Sequence, residues 1–271
     1  MKHLIEPEVL NNQLDSPDLI IVDLCNPSLY QQQHVPGAVH LSGQHLIAGV
    51  PPIPGACPTL SSLSAVMAYL GIDDSKKVIL YDDEGGGWAG RMAWSMDLLG
   101  INNWQYLNGG AVSWLKEGFP TESTINQPDS IEVNDLIKPC SRTRIQADEI
   151  ISLLDNSDFA VWDARSFGEY TGDVVRSARG GHIPDAINLE WTELMDRDKN
   201  LRIRDDAQQI LDDLGLSKDK EIATHCQSHH RSSFTYMVAR ILGYDRIRGY
   251  DGSWSEWGNL EHMPVNIGPQ K

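Results

Sequence analysis

The chain has 271 residues, 38 of them acidic and 22 basic, for a formal net charge of −16. That length supports one large domain or two ordinary ones with a sizeable core. The charge argues against broad binding to nucleic acid or to anionic membranes.

The first residues lack the continuous apolar core of a signal peptide, and no apolar run approaches membrane-spanning length. A soluble, cytoplasmic monomer is therefore expected, with no nucleic acid and no membrane among its partners. Cys25, Cys57, Cys140 and Cys226 lie far apart with no CxxC pair, which suggests neither a disulfide framework nor a zinc knuckle. At least one thiol is then free to react.

In chain order, the first marked stretch is "LIIVDLCNPSLYQQQHVPGAVHL", residues 19–41: an apolar strand reaching Asp23, then His34-x-Pro-x-Ala38. Next comes "KVILYDDEGGGWAGRMAWSMDLLGI", a strand, a loop and a helical pattern, and then a strand and a Gly/Trp turn in "YLNGGAVSW". Residues 126–143, "NQPDSIEVNDLIKPCSRT", are polar, contain two prolines and lack a sustained helical period, as suits a connecting segment.

Beyond it the order repeats. "FAVWDARSFGEYTGDVVRSARGGHIPDAINL" runs from a strand to Asp163 and on to His182-x-Pro-x-Ala186, with eight more residues between Asp and His than the first copy has. "EIATHCQSHHRSSFTYMVARILGY" then matches the strand, loop and helix of the first half, and "IRGYDGSWSEW" matches its Gly/Trp turn. This register sets Asp82 opposite Cys226. Two tandem copies of one fold explain the pattern, with domains expected at 1–125 and 144–271 and a linker at 126–143.

Within each half, short β-branched runs alternate with helical patterns. In the last long helix Phe234, Met237, Val238, Ile241 and Leu242 share a face, and Gly243 follows as a stop signal. The fold class is α/β: each half is a mostly parallel sheet flanked by helices, and such sheets place ligands at the C-terminal ends of their strands. Cys226 lies at such an end.

A thiol of ordinary pKa, about 8.5, is only a few per cent thiolate at neutral pH, and the thiolate is the nucleophile. The predicted strand ends near His225 and the helix begins near Ser232, so the amides of residues 227–231 can curl around the sulfur together with the positive end of the helix dipole. Arg231 adds a formal charge. A pKa lowered by two units requires about 2.7 kcal/mol of preferential thiolate stabilisation, within reach of a few charge-assisted contacts. No metal is needed, and the same cradle suits an incoming anion or the terminal sulfur of a persulfide.

These features together resemble the rhodanese family, the tandem-domain thiosulfate sulfurtransferases, over nearly the whole chain. The loop "CQSHHR", Cys226, Gln227, Ser228, His229, His230 and Arg231, is similar to the "CQTHHR" loop of the Azotobacter type, with Ser228 in place of threonine. The resemblance implies a catalytic C-terminal domain and a non-catalytic N-terminal one that has lost its cysteine, where this chain has Asp82. It implies transfer of sulfur from thiosulfate through a Cys226 persulfide to cyanide or a thiol, with no organic cofactor. By motif it also implies that Arg165 and Trp191 join Arg231 at the entrance, the arginines holding the dianion and Trp191 forming a wall.

Other chemistries compete. Cysteine phosphatases and arsenate reductases place five residues between cysteine and arginine, whereas Cys226 and Arg231 are separated by four, a smaller cradle. Mercaptopyruvate sulfurtransferases carry a small neutral loop, while His229, His230 and Arg231 favour a doubly charged donor. A persulfide carrier serving a sulfur-accepting protein would use the same residues. His225, Cys226, His229 and His230 as a metal cluster is disfavoured, because a loop that turns its amides inward selects anions; the histidines are expected to tune the field and line the entrance. Asp23 and Asp163 are expected to tie loops, and Cys25, Cys57 and Cys140 to be inert core residues.

Overall fold

In the computed structural model, residues 2–132, 140 and 142–269 are described; positions 133–139 and 141 of the expected linker lie outside them. The chain divides into two compact units, one of Met1–Leu46, Pro58–Ser141 and Met195–Ile203, the other of Ile47–Cys57, Arg142–Leu194 and Arg204–Lys271. Each unit thus includes one short segment taken from the stretch of chain that forms the other.

The strands in chain order are β1 (Leu4–Ile5), β2 (Leu19–Asp23), β3 (Val39–His40), β4 (Lys77–Tyr81), β5 (Trp104–Leu107), β6 (Phe159–Asp163), β7 (Ile187–Asn188), β8 (Met195–Asp196), β9 (Arg202–Ile203), β10 (Glu221–His225) and β11 (Ile247–Gly249). The first unit has the sheet order β1-β5-β4-β2-β3 and the second β11-β10-β6-β7, with every pairing in both sheets parallel. Parallel neighbours need a crossover between them. The helices Leu60–Tyr69 and Gly87–Leu98 serve the first sheet, and Ala207–Asp213 and Arg231–Leu242 the second. Because helices flank the sheets, central strands read as nearly continuous apolar runs rather than alternating ones: Val78, Ile79 and Leu80 of β4 and all of β6 are buried.

The repeat in the sequence is also a repeat of individual bonds. Tyr30 donates its hydroxyl to the Ala38 carbonyl at 2.9 Å, and Tyr170 donates to Ala186 at 2.8 Å. His34 stacks on Tyr30 at 3.9 Å and His182 on Tyr170 at 3.8 Å. Each of these histidines directs Nδ1 at the carbonyl of its stacked tyrosine, at 2.6 and 2.9 Å. A carbonyl only accepts, so Nδ1 carries the proton in both. The His-x-Pro-x-Ala elements are therefore fold devices that hold the short helix before them to the strand after them.

The Gly/Trp turns behave likewise. The Trp114 indole donates to the Pro120 carbonyl and the Trp257 indole to that of Pro264, both at 2.8 Å, and the two rings sit in the cores of their respective units. Asp23 accepts from the Cys25 amide at 2.8 Å and from the Tyr81 hydroxyl, and Asp163 accepts from the Arg165 amide at 3.0 Å. Both aspartates tie loops. Among the described residues no helix is long and apolar enough to cross a membrane.

Candidate active site

Strand β10 ends at His225, and Cys226 is the first residue beyond it, at the C-terminal edge of a parallel sheet. The following helix starts at Arg231 and ends with Gly243 in the left-handed region at φ 87°. Phe234, Met237, Val238 and Ile241 are buried as their spacing predicts, but Ser232, Ser233, Thr235, Tyr236 and Ala239 are buried as well. This helix is enclosed on more than its apolar face, and its polar positions serve the loop.

The loop is stitched in place through its backbone. The Cys226 amide donates to the Ser253 hydroxyl at 3.3 Å, the Trp254 amide donates to the Cys226 carbonyl at 3.0 Å, and the Ser255 amide to the Gln227 carbonyl at 2.9 Å. The Gln227 side chain donates to the Ser177 hydroxyl at 3.1 Å. His229 takes φ 54°, which reverses the chain, and the Ser233 hydroxyl caps its carbonyl. With these carbonyls and side chains committed elsewhere, amides are left to face the sulfur.

Cys226 is 1% exposed. Burial alone would push its thiol up, but the Arg231 charge, the Ser232 hydroxyl and the amides of Ser232 and Ser228 outweigh it and bring the thiol down to about 7. Cys25 shows the contrast. It is buried too, but beside Asp23, Asp82 and Asp83 rather than an arginine, and burial with those carboxylates drives it far up. Cys57 and Cys140 are half-buried rather than core residues, and none of the four cysteines is in a disulfide.

Arg231 is held by a two-pronged ion pair to Glu169, at 2.7 and 3.0 Å. Glu169 is 3% exposed, closes a capping box with Ser166 and also meets Arg176 at 3.2 Å. Burial would raise its carboxyl, but the Arg231 guanidinium holds it below the usual range. Trp191 stands edge-on to His230 at 6.0 Å and to Phe234 at 5.9 Å, which places it beside the cysteine loop.

Three expected positions differ. Arg165 is buried at 1% exposure, not at an entrance. Its guanidinium grips Asp163 with bonds of 2.5 to 3.0 Å, donates to the Gly181 carbonyl at 2.8 Å and lies 4.3 Å over the Trp254 ring. His229 is fully buried, with Nδ1 2.7 Å from the Ser232 hydroxyl, and His225 is buried against Asp163 at 3.6 Å. Only His230 is partly open. Among the described residues no group of three or more His, Cys, Asp or Glu could hold a metal ion.

Sequence reasoning missed Glu169, Ser232 and Ser253. The Ser166-x-x-Glu169 spacing signals a helix start, but nothing in it shows that the same carboxylate meets Arg231, 62 residues on.

The first unit carries the same cradle around a carboxylate. Asp82 is fully buried; its Oδ1 accepts from the amides of Glu84 at 3.0 Å and Gly86 at 2.7 Å, and its Oδ2 from that of Ala89 at 2.9 Å. The loop makes its own anion. Asp82→Ala would strip two enclosed donors, the amides of Gly86 and Ala89, and the more open one of Glu84 of their acceptor, at a cost of about 3 kcal/mol. The thermal midpoint is expected to fall by several degrees, while the folded variant keeps most of its turnover. An unchanged midpoint would mean that the cradle does not need its carboxylate.

Similarity to known proteins is consistent with this geometry. The family model described as Rhodanese-like domain matches residues 6–117 and again 146–260. The chain is 43% identical over 264 residues to the thiosulfate sulfurtransferase of Azotobacter vinelandii, covering 97% of each chain. It is 44% identical over 268 residues to that of Pseudomonas aeruginosa, again covering 97% of each. The sulfur carrier protein TtuD of Thermus thermophilus is 29% identical, over 98% of this chain and 97% of its own. Among solved structures, the anaerobic ergothioneine biosynthesis enzyme of Chlorobium limicola shares the fold, with a TM-score of 0.88 at 24% identity over 99% of this chain and 71% of that one. A family match to each half, in the place where the repeat of bonds and the two cradles already divide the molecule, has one consequence: this chain belongs to the rhodanese family, with two rhodanese-like domains in tandem.

Proposed function

We propose that the chain is a thiosulfate sulfurtransferase that carries sulfane sulfur on Cys226, in the cytoplasm, and passes it to cyanide or a small thiol. The observation that carries this is a buried cysteine at the C-terminal end of β10, with the Arg231 charge, the Ser232 hydroxyl and loop amides around it to favour the thiolate. The naming of relatives at 43–44% identity supports the donor.

The reaction divides into two displacements. The Cys226 thiolate attacks the outer sulfur of thiosulfate; a bond forms between the two sulfurs, the bond to the sulfonate sulfur breaks, and sulfite departs with the electron pair. The terminal persulfide sulfur inherits the negative charge, so the cradle that held the thiolate stabilises it as well. Cyanide carbon then attacks that sulfur, thiocyanate leaves, and the thiolate is restored.

Arg231 attracts the dianion and holds the thiolate, with Glu169 fixing its guanidinium. Gln227, Ser228, His229 and His230 shape the loop, and Trp191 forms a wall beside His230. Arg165 acts at one remove, by fixing the Asp163 end of β6. The N-terminal half does no sulfur chemistry, since Asp82 cannot form a persulfide.

A cationic loop should favour thiosulfate over the singly charged 3-mercaptopyruvate. Rates of thiocyanate formation with each donor at equal concentration test this, and a preference for mercaptopyruvate would overturn the donor assignment. The similarity to TtuD motivates a second proposal, delivery of the same persulfide sulfur to an acceptor protein.

A further inference from the structure

Residues 47–57 precede Cys226 by some 170 positions, yet they pack within the catalytic unit. The segment is closed on itself: the Ala48 amide donates to the Ala56 carbonyl at 2.7 Å, Ile53 to Val50 at 2.8 Å and Ala56 to Ile53 at 3.1 Å. Its end is fastened by the Cys57 amide, which donates to Asp251 Oδ2 at 2.7 Å, and Asp251 is itself gripped by Arg144 at 2.6 and 2.8 Å. Two residues beyond Asp251, the Ser253 hydroxyl receives the Cys226 amide. The segment and the cysteine loop thus share one anchor.

Gly55 is where they meet. It is buried, and a Cβ on it would overlap the Ser228 carbonyl oxygen and lie 2.6 Å from the Ser228 carbonyl carbon and 3.0 Å from its Cα. All three are backbone atoms, which cannot turn aside as a side chain does. Only a residue without a side chain allows the two backbones this approach.

Ser228 stands two residues after the cradle's central residue. In the first unit the amide at the equivalent place, that of Glu84, donates to Asp82 at 3.0 Å, so this position aims its N–H inward in both copies.

We infer that Gly55 is a positioning residue for sulfur transfer: the bare backbone of the 47–57 segment packs against the Cα and carbonyl of Ser228 and so fixes that residue, whose own N–H is aimed at Cys226 Sγ. The inference rests on Cys226 being the sulfur-carrying thiol. Ser228 is among the donors that hold this thiol down. The titratable groups around the loop are Arg231 with Glu169 behind it, His225 with Asp163 and Arg165, His229, His230, and Asp251 with Arg144. A substitution at position 55 removes none of them.

The test is the pH dependence of Cys226 alkylation by iodoacetamide in the full chain, with Cys25, Cys57 and Cys140 replaced by serine. Thiolate grows with pH, so the rate should rise through about 7 in the parent. In Gly55→Ala the midpoint should move up by about one unit, a roughly tenfold loss of reactive thiolate at pH 6. A folded variant whose midpoint stays put overturns the inference, since a merely structural role would lower the melting temperature and leave the thiol alone. Should Gly55→Ala not fold, the Ser228 amide proton of the parent can be followed by NMR through the Cys226 titration. A downfield shift tracking the thiol is expected, and no response would overturn the inference. Alkylation reads the thiol itself, so the outcome stands apart from which donor the protein uses.

Discussion

Cys226→Ser is expected to lower thiosulfate-dependent thiocyanate formation by on the order of 10⁴-fold or more, while leaving the fold intact. The hydroxyl differs from the thiol by one atom, and the loop is held by backbone bonds to Ser253, Trp254 and Ser255 that do not involve the sulfur. What is lost is the nucleophile: a serine hydroxyl is not ionised near neutral pH, and oxygen cannot carry a persulfide. The cradle survives and still accepts the anion, so thiosulfate binding should persist where turnover does not. Circular dichroism and thermal unfolding would check the fold, and a thiocyanate assay the turnover. Turnover near the parent rate in the folded variant would move the chemistry to another residue.

The second large effect separates two arginines that look alike in the sequence. Arg165→Ala removes one partner of a buried ion pair, leaving Asp163 enclosed with only the backbone amide at position 165 and His225 facing its oxygens, and the Trp254 face uncovered. Breaking such a pair costs about 3–5 kcal/mol, which should lower the melting temperature by on the order of 10 °C in a chain of this size. The remaining folded protein should keep its affinity for thiosulfate.

Arg231→Ala should do the reverse. Glu169 keeps Arg176 as a partner, so the stability loss is small, but the thiol drifts back up and the donor loses its cation. Thiosulfate efficiency should fall about ten- to a hundredfold. Melting curves and thiosulfate kinetics on both variants would check this. An Arg165→Ala protein of unchanged melting temperature and weakened thiosulfate binding would instead return that guanidinium to the substrate.

These arginines also mark what the sequence makes legible. The tandem repeat, the parallel α/β architecture and the edge position of Cys226 follow from local signals: apolar runs, helical spacing, and the same motifs in the same order. The start of the last long helix is displaced by a single residue, from Ser232 to Arg231.

What could not be read is set by contacts between distant positions. A motif gives the position of Arg165 along the chain, but which way its guanidinium turns depends on Gly181 and Trp254, 16 and 89 residues later. Glu169 beneath Arg231 and Gly55 against Ser228 are likewise products of tertiary packing. The membership of 47–57 in the second unit has no composition signal, because the segment looks like any proline-rich loop. The histidines misled for another reason. Adjacent imidazoles beside a cysteine suggest an open, charged entrance, but the left-handed turn at His229 folds its ring inward onto Ser232.

The central claim is that sulfur travels on Cys226, and the mass of the intact protein tests it most directly. After thiosulfate the chain should gain about 32 Da, the mass of one sulfur, located to the peptide that contains Cys226. Cyanide should remove it in step with thiocyanate release, and Cys226→Ser should gain nothing. A gain of the same mass in Cys226→Ser, or thiocyanate formed by a protein whose Cys226 never carries the added sulfur, would contradict the account.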